Sequence, residues 1–405
     1  MAFRFPRFAA AASVCAGIPV LQAVTVSGVT FEQDSASGAA TVSYTLDAPA
    51  IVTVDVRTNS GDGVWVSIGA DKLRHISGEV NKLVTTVNEP VSARWILDDD
   101  LQATAIPAAR AVVTAWATDA PPPYMAVNLT DTNVVRYYVS EDALPYSVTD
   151  RLYKTEWLLM RRIPAAGVTW RMGSDADNRM VTFTKDYYIG VFEFTIGQYL
   201  WCGLEKASHD IYMMENVMRP ACSVPYNFLR GGTGDGINWP ETKHRVKDGS
   251  VLDNLRKRIG IEVDLPTEAQ WEYACRAGTF TETYNGCANS ESLASTNGWY
   301  GLSKWNDIPM VGYFAPNPWG LYDMYGGMLE WCLDWYNDQT DADDTVDPKG
   351  ADESSNGNRI QRSSGWNDSY LRLKTEFRSN LNPERGYATV GFRIVAPCLA
   401  PNKDK

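Results

Sequence analysis

The chain has 405 residues, a formal net charge of −12 and 44% hydrophobic residues. That length predicts two or three domains of ~100–200 residues, each large enough to bury a core. The acidic excess excludes a nucleic-acid partner, because phosphates call for a Lys/Arg-rich surface.

Residues 1–23 have the three parts of a secretory leader. Arg4 and Arg7 make a basic start, Ala9 to Val20 is an apolar run, and Leu21-Gln22-Ala23 ends on a small residue suited to cleavage. No later run reaches the ~20 apolar residues of a membrane helix, so no membrane span is expected. The mature protein is expected outside the cytoplasm, secreted or in the periplasm and cell envelope. Beyond Cys15 in the leader, the cysteines are Cys202, Cys222, Cys275, Cys287, Cys332 and Cys398. An oxidising compartment permits disulfides among them, in pairings the sequence does not rank. None sits in a C-x-x-C spacing, so neither zinc nor a redox motif is signalled.

Residues 24–120 read as short strands separated by turns. Ala40–Thr45, Ile51–Arg57, Val64–Val66, Leu83–Val87, Ser92–Ile96 and Ala111–Ala117 mix β-branched with polar residues, and Asn59-Ser60-Gly61-Asp62-Gly63 marks a turn. Evenly spaced strands without helical period predict an all-β sandwich of immunoglobulin or fibronectin type III character. His75 is a lone surface histidine in this reading. Pro121-Pro122-Pro123 marks a boundary, since a proline run joins neither a helix nor a central strand. Residues 121–154 are then linker and lead-in strands, at Tyr124–Val127 and Val134–Val139, and 155–398 form a second domain ahead of a tail at 399–405.

In that second domain Phe183–Phe194 reads as a strand pair around Tyr187-Tyr188-Ile189. Thr195 and Gln198 form a capping box, in which hydroxyl and amide satisfy each other's orphan N–H groups, so a short helix follows. Ser250 caps a second helix with Val251, Leu252, Leu255 and Ile259 on one face and Gly260 as its stop. Thr267 and Gln270 open a third, with Trp271, Ala274 and Cys275 inward and Gly278 ending it.

Leu265-Pro266-Thr267-Glu268-Ala269-Gln270-Trp271-Glu272-Tyr273-Ala274-Cys275-Arg276-Ala277-Gly278-Thr279 resembles the signature helix of the sulfatase-modifying-factor family, which includes formylglycine-generating enzymes. Asn317-Pro318-Trp319-Gly320-Leu321-Tyr322-Asp323-Met324 with Gly326-Gly327-Met328-Leu329-Glu330-Trp331-Cys332 is similar to its second signature, and Val390-Gly391-Phe392-Arg393 to its closing strand. Arg162-Ile163-Pro164, Met172-Gly173-Ser174, Tyr188-Ile189-Gly190 and Glu193-Phe194-Thr195 resemble its opening segments. The resemblance implies a loop-rich α+β fold of C-type-lectin-like kind, preceded here by the all-β sandwich.

Formylglycine generators hold copper(I) on two cysteines before the last strand, a soft ion on soft thiolates. Aligned through Trp366, those positions fall near Asp368 and Leu373, so copper is not expected and no catalytic residue is assigned. A second branch of the family uses a three-histidine iron site; His75, His209 and His244 have no ligand-like spacing. The resemblance also implies a calcium site, carried over to Asp323, Gly326, Met328 and Glu330, whose hard oxygens suit that ion. Arg362 and Arg393 read as ion-pair or carbonyl-binding residues.

Two functions remain open. One is a lectin-like recognition protein that grips a protein or glycan with the segment 359–387, through Trp366, Asn367, Asp368, Tyr370, Arg372, Arg385 and Tyr387, residue types such surfaces use. The other is a divergent oxidoreductase of formylglycine-generating type, acting on an exported protein.

Overall fold

The computed structural model describes residues 24–175, 177–202, 216–231, 245–284, 295, 298–302, 310–337 and 345–398. The leader, Cys287, His209 and His244 lie outside them. Among the described residues the fold is mostly β-sheet with few helices, and no helix is long and apolar enough to cross a membrane.

The N-terminal unit holds β1 (Val26–Asp34), β2 (Ala39–Leu46), β3 (Ala50–Asn59), β4 (Trp65–Ser67), β5 (Ile76–Gly78), β6 (Leu83–Val84), β7 (Val91–Ile96), α1 (Leu97–Leu101) and β8 (Ala109–Trp116). One antiparallel sheet runs β1-β2-β7-β5, and a second has β3 paired with β4, β6 and β8. Val42, Tyr44 and Leu46 of the first sheet pack with Ala50, Val52 and Val84 of the second, which is why these strands alternate apolar with polar residues. β1 and β5 were not legible: β1 is largely exposed, so it carries little apolar alternation to read.

The unit is anchored on the next sheet by specific bonds. Arg136 Nη2 donates to the Arg74 carbonyl at 3.1 Å and Tyr137 N to Asn81 Oδ1 at 3.2 Å. Ile51 shares a buried cluster with Met125 and Tyr137.

The next strands are β9 (Tyr124–Asn128), β10 (Val135–Tyr138), β11 (Trp157–Ile163), β12 (Thr169–Gly173), β13 (Asn178–Thr182) and β14 (Tyr187–Gly190). They are followed by α2 (Ile196–Leu200), α3 (Tyr226–Leu229), α4 (Val251–Ile259) and α5 (Glu268–Arg276). β15 (Leu329–Trp335), β16 (Arg359–Arg362), β17 (Arg378–Leu381), β18 (Val390–Gly391) and β19 (Val395–Pro397) complete the chain. The central sheet runs β10-β9-β11-β14-β19, and a smaller one runs β17-β16-β15-β18, in which β15 and β18 are parallel. Tyr188 of β14 faces a core shared with α2 and α4, while Tyr187 and Ile189 face one shared with α5. The central sheet is therefore buried on both faces.

Both capping boxes form, at Thr195/Gln198 and Thr267/Gln270, and Ser250 caps α4 with Gly260 left-handed at its end. One expectation needs correcting and one completing. The segment expected as a strand pair yields one strand, β14, because Phe183 makes only an isolated bridge to Ala166. The end of α5 is built from two left-handed residues, the C-cap Ala277 and the expected Gly278, so Gly278 ends the helix with Ala277 and not alone.

No disulfide joins two described cysteines. Cys202, Cys275 and Cys332 are instead buried in the apolar clusters, so the bridges expected of an exported chain are not found among the described residues.

Candidate functional site

The loop from Asn317 to Glu330 is held by its first residue. Asn317 Nδ2 donates to the carbonyls of Ala274 (2.7 Å) and Cys275 (3.2 Å) at the end of α5. Its Oδ1 accepts from the N–H groups of Trp319 and Leu321. The loop then winds through Asp323, Gly326 and Gly327, all at positive φ. A Cβ on Gly326 would stand 2.3 Å from the Trp299 carbonyl, so only glycine fits.

This winding brings three buried carboxylates together. Asp323 Oδ2 accepts from Gly312 N at 2.6 Å, and Glu193 Oε1, just after β14, from Met328 N at 3.2 Å. Glu330 on β15 is engaged on both oxygens: Arg393 Nη2 lies 3.0 Å from Oε1, and Trp271 Nε1 2.7 Å from Oε2. Arg393 also donates to the carbonyls of Gly190 and Tyr322. Burial, then the charge of Asp323 and Glu330, pushes the Glu193 carboxyl well above the usual carboxylate range. Burial likewise lifts Asp323 to about 6, against the Gly312 N–H, Arg393 and Lys154.

Glu193 and Asp323 line a narrow cleft together with Pro220, Trp299, Tyr325, Gly326 and Gly327. Of the expected calcium ligands, Asp323 and Gly326 line this cleft, whereas Met328 and Glu330 do not. Glu193 lines it too, although the sequence reading assigned it no ligand role. A Cβ on Gly327 would stand 3.4 Å from Glu193 Oε1, so the absence of that side chain keeps the carboxylate open to the cleft. The donors are hard oxygens, and burial holds both carboxyls above the usual carboxylate range, a penalty that a bound cation would relieve. Among the described residues no three His, Cys, Asp or Glu side chains converge as a metal set, so a cation must also take backbone carbonyls.

The expected ligand-binding residues lie on an adjoining turn. Trp366 is buried, its N–H donating to the Gly327 carbonyl (2.7 Å) and its Nε1 to that of Ala388 (3.0 Å). The second bond draws the neighbourhood of Arg385 and Tyr387 to the Trp366 turn. Asn367, Arg372, Arg385 and Tyr387 are exposed, and Tyr370 is half-buried, its ring 6.0 Å from that of Tyr300.

The two positions aligned with the copper thiolates are otherwise committed. Asp368 accepts from Gly365 N at 2.9 Å and pairs with Arg372 at 2.5 Å, while Leu373 is buried among core residues. Cys222 packs beneath the turn against Met328 and Trp366. Arg362 pairs with Glu268 and Glu272 in the interior, and Arg393 with Glu330, as ion-pair residues.

A family model described as the sulfatase-modifying factor enzyme 1-like domain matches residues 112–397. The chain belongs to this family. The match opens within β8 and takes in β9 and β10, which share a sheet with β11 and β14. Formylglycine-generating enzyme of Bos taurus is 30% identical over 148 residues, covering 33% of this chain and 39% of that protein. "Inactive C-alpha-formylglycine-generating enzyme 2" of Mus musculus is 28% identical over 221 residues, covering 49% of this chain and 65% of its own. Among solved structures, PvdO from Pseudomonas aeruginosa superposes with a TM-score of 0.48 at 23% identity, covering 59% of this chain and 94% of that one. The chain thus spans less than two thirds of these curated relatives' length.

Proposed function

We propose that this chain is an exported recognition protein on the sulfatase-modifying-factor scaffold, and not a copper-dependent formylglycine generator. The observation that carries this reading is the fate of the two thiolate positions. Asp368 offers a hard oxygen already held by Gly365 and Arg372, and Leu373 is a core side chain, so neither suits copper(I). A relative whose printed name calls it inactive supports the reading. The ligand is a protein or glycan outside the cytoplasm, met by Asn367, Tyr370, Arg372, Arg385 and Tyr387 on the frame that Trp366 fixes. A C-type-lectin-like arrangement of the second domain and an immunoglobulin-like N-terminal sandwich belong to the same proposal.

Calcium is the proposed cofactor. Asp323, Glu193 and the carbonyl-bearing loop at Gly326–Met328 would hold it, with Glu330 adding negative charge from behind Arg393. Bound there, the ion supplies positive charge to crowded carboxylates and ties the loop to Glu193. The loop in turn meets the recognition turn through the Gly327–Trp366 hydrogen bond.

The test incubates the purified protein with copper(I), oxygen and a cysteine-containing sulfatase-motif peptide. No aldehyde is expected, and an aldehyde product overturns the reading. In parallel, wild type and an Arg372→Ala/Tyr387→Ala variant are applied to glycan and peptide arrays. Signal confined to the wild type supports recognition at this surface; equal signal from both removes it.

A further inference from the structure

Lys154 is a lysine with almost no exposure, 3% of its surface, at the end of a short 3-10 helix, Arg151–Lys154. Its backbone is fixed by Thr195, whose hydroxyl donates to the Lys154 carbonyl at 2.6 Å. The ammonium lies over the Phe192 ring, 5.2 Å from its centroid, and donates no hydrogen bond among the described residues. It also lies close to Gly312: a Cβ built there would be 3.2 Å from Nζ. Gly312 is the residue whose N–H holds Asp323. Lys154 and Asp323 feel each other's charge without forming a direct ion pair.

A buried ammonium normally finds oxygen partners, because desolvating it otherwise costs more than a local contact returns. Here an aromatic face and a neighbouring carboxylate stand in for them. The consequence lies in the charge count. Counted ionised, as a bound cation would hold them, Glu193, Asp323 and Glu330 carry three negative charges; Arg393 and Lys154 carry two positive ones. With Lys154 present, a divalent cation overshoots neutrality by one charge. Without it, the same cation would balance the pocket.

We propose that Lys154 is a built-in counter-charge to the acidic cleft, holding down its affinity for divalent cations. This rests on the reading of the cleft as a cation site. Ligand charge is one of the means by which calcium sites are tuned, down to ~10⁻⁴–10⁻³ M in extracellular modules. With Lys154 in place the cleft fills only where calcium is abundant, as it is outside the cell. The lysine also keeps the cation-free state folded, by partly offsetting Asp323.

The experiment uses the full chain as wild type, Lys154→Met, Lys154→Gln and Lys154→Arg. Binding is read by calorimetric titration with Ca²⁺ and by Tb³⁺ luminescence sensitised by Trp299 in the cleft wall, with thermal melts to certify folding. Both neutral variants are expected to bind at least about tenfold tighter, since a unit charge within several ångströms of a divalent ion is worth more than that at protein-like screening. Lys154→Arg should stay within about threefold of wild type, because it keeps the charge. Adding Asp323→Asn to Lys154→Met should abolish the gain, which locates it in this cleft. If wild type binds and the folded neutral variants bind equally or more weakly, the counter-charge role is overturned while the cation site stands. If neither wild type nor variant binds Ca²⁺ or Tb³⁺, the cation site falls and this inference with it.

Discussion

Replacing Arg393 by Met is the sharpest test of how the site is held. Both side chains of the Arg393–Glu330 pair are fully buried, at 0% exposure. The substitution leaves the Glu330 carboxylate with one partner, Trp271 Nε1, and strips the Gly190 and Tyr322 carbonyls of a donor. Breaking a buried pair from one side costs about 3–5 kcal/mol, and each orphaned polar group about 1–3 kcal/mol, with overlap between the two. We expect a loss of about 4 kcal/mol, a large fraction of the ~5–15 kcal/mol that domains possess. Urea denaturation reads it as a lower midpoint at unchanged slope. Glu330→Gln and the double variant complete a cycle, in which the double loss should fall short of the sum by more than about 1 kcal/mol. A single-variant loss below about 1 kcal/mol, or strict additivity, would refute the argument that this pair organises the loop.

Acid–base behaviour gives a second expectation. A carboxyl raised above its unfolded value adds stability below that value and loses it as pH climbs through the folded one. Asp323 moves from 3.8 to about 6, so in chelator it should weaken the protein between about pH 4 and 6, and Glu193, raised well above its ordinary value, carries the fall further upward. The weakening should reach up to about 3 kcal/mol for Asp323, at ~1.4 kcal/mol per pKa unit. Millimolar calcium should cancel the fall; a profile flat in chelator contradicts the crowding of these carboxylates. Burial pushes the Cys202 thiol up to about 12 and raises those of Cys275 and Cys332 as well. These three should resist Ellman's reagent in the native protein and react once denatured, and rapid native labelling would contradict the placement. Gly326→Ala should cost about 2 kcal/mol or more, through left-handed strain and the clash with Trp299, whereas a melt unchanged within error would refute that approach.

The helices were readable because each carries its boundary chemistry locally: Thr195 with Gln198, Ser250 with Gly260, Thr267 with Gln270. The strands that alternate toward a core, such as β2 and β3, were readable for a similar reason. β1 was not, since most of its side chains meet solvent. The loop with Asp323, Gly326 and Gly327 stood out by its motif, but the partner it turns toward did not. Glu193 lies 130 residues earlier than Asp323, and its link to Met328 spans a sequence separation of 135, which no local pattern encodes. Its signals were the family-like Glu193-Phe194-Thr195 segment and a lone acid shortly after a buried strand, neither of which names a partner. Lys154 gave no signal, because its charge matters only once Phe192 and Gly312 are folded around it.

The Trp366 turn is fastened at Gly327 and Ala388, both through backbone carbonyls. The solvent-facing residues of this turn, such as Asn367 and the half-exposed Leu371, at 53%, contribute little to what keeps the chain folded, unlike the buried Leu373 beside them. Sequence drift there is therefore decoupled from thermodynamic risk. A lineage could reshape this surface by exchanging these side chains, while the bolts beneath stay untouched.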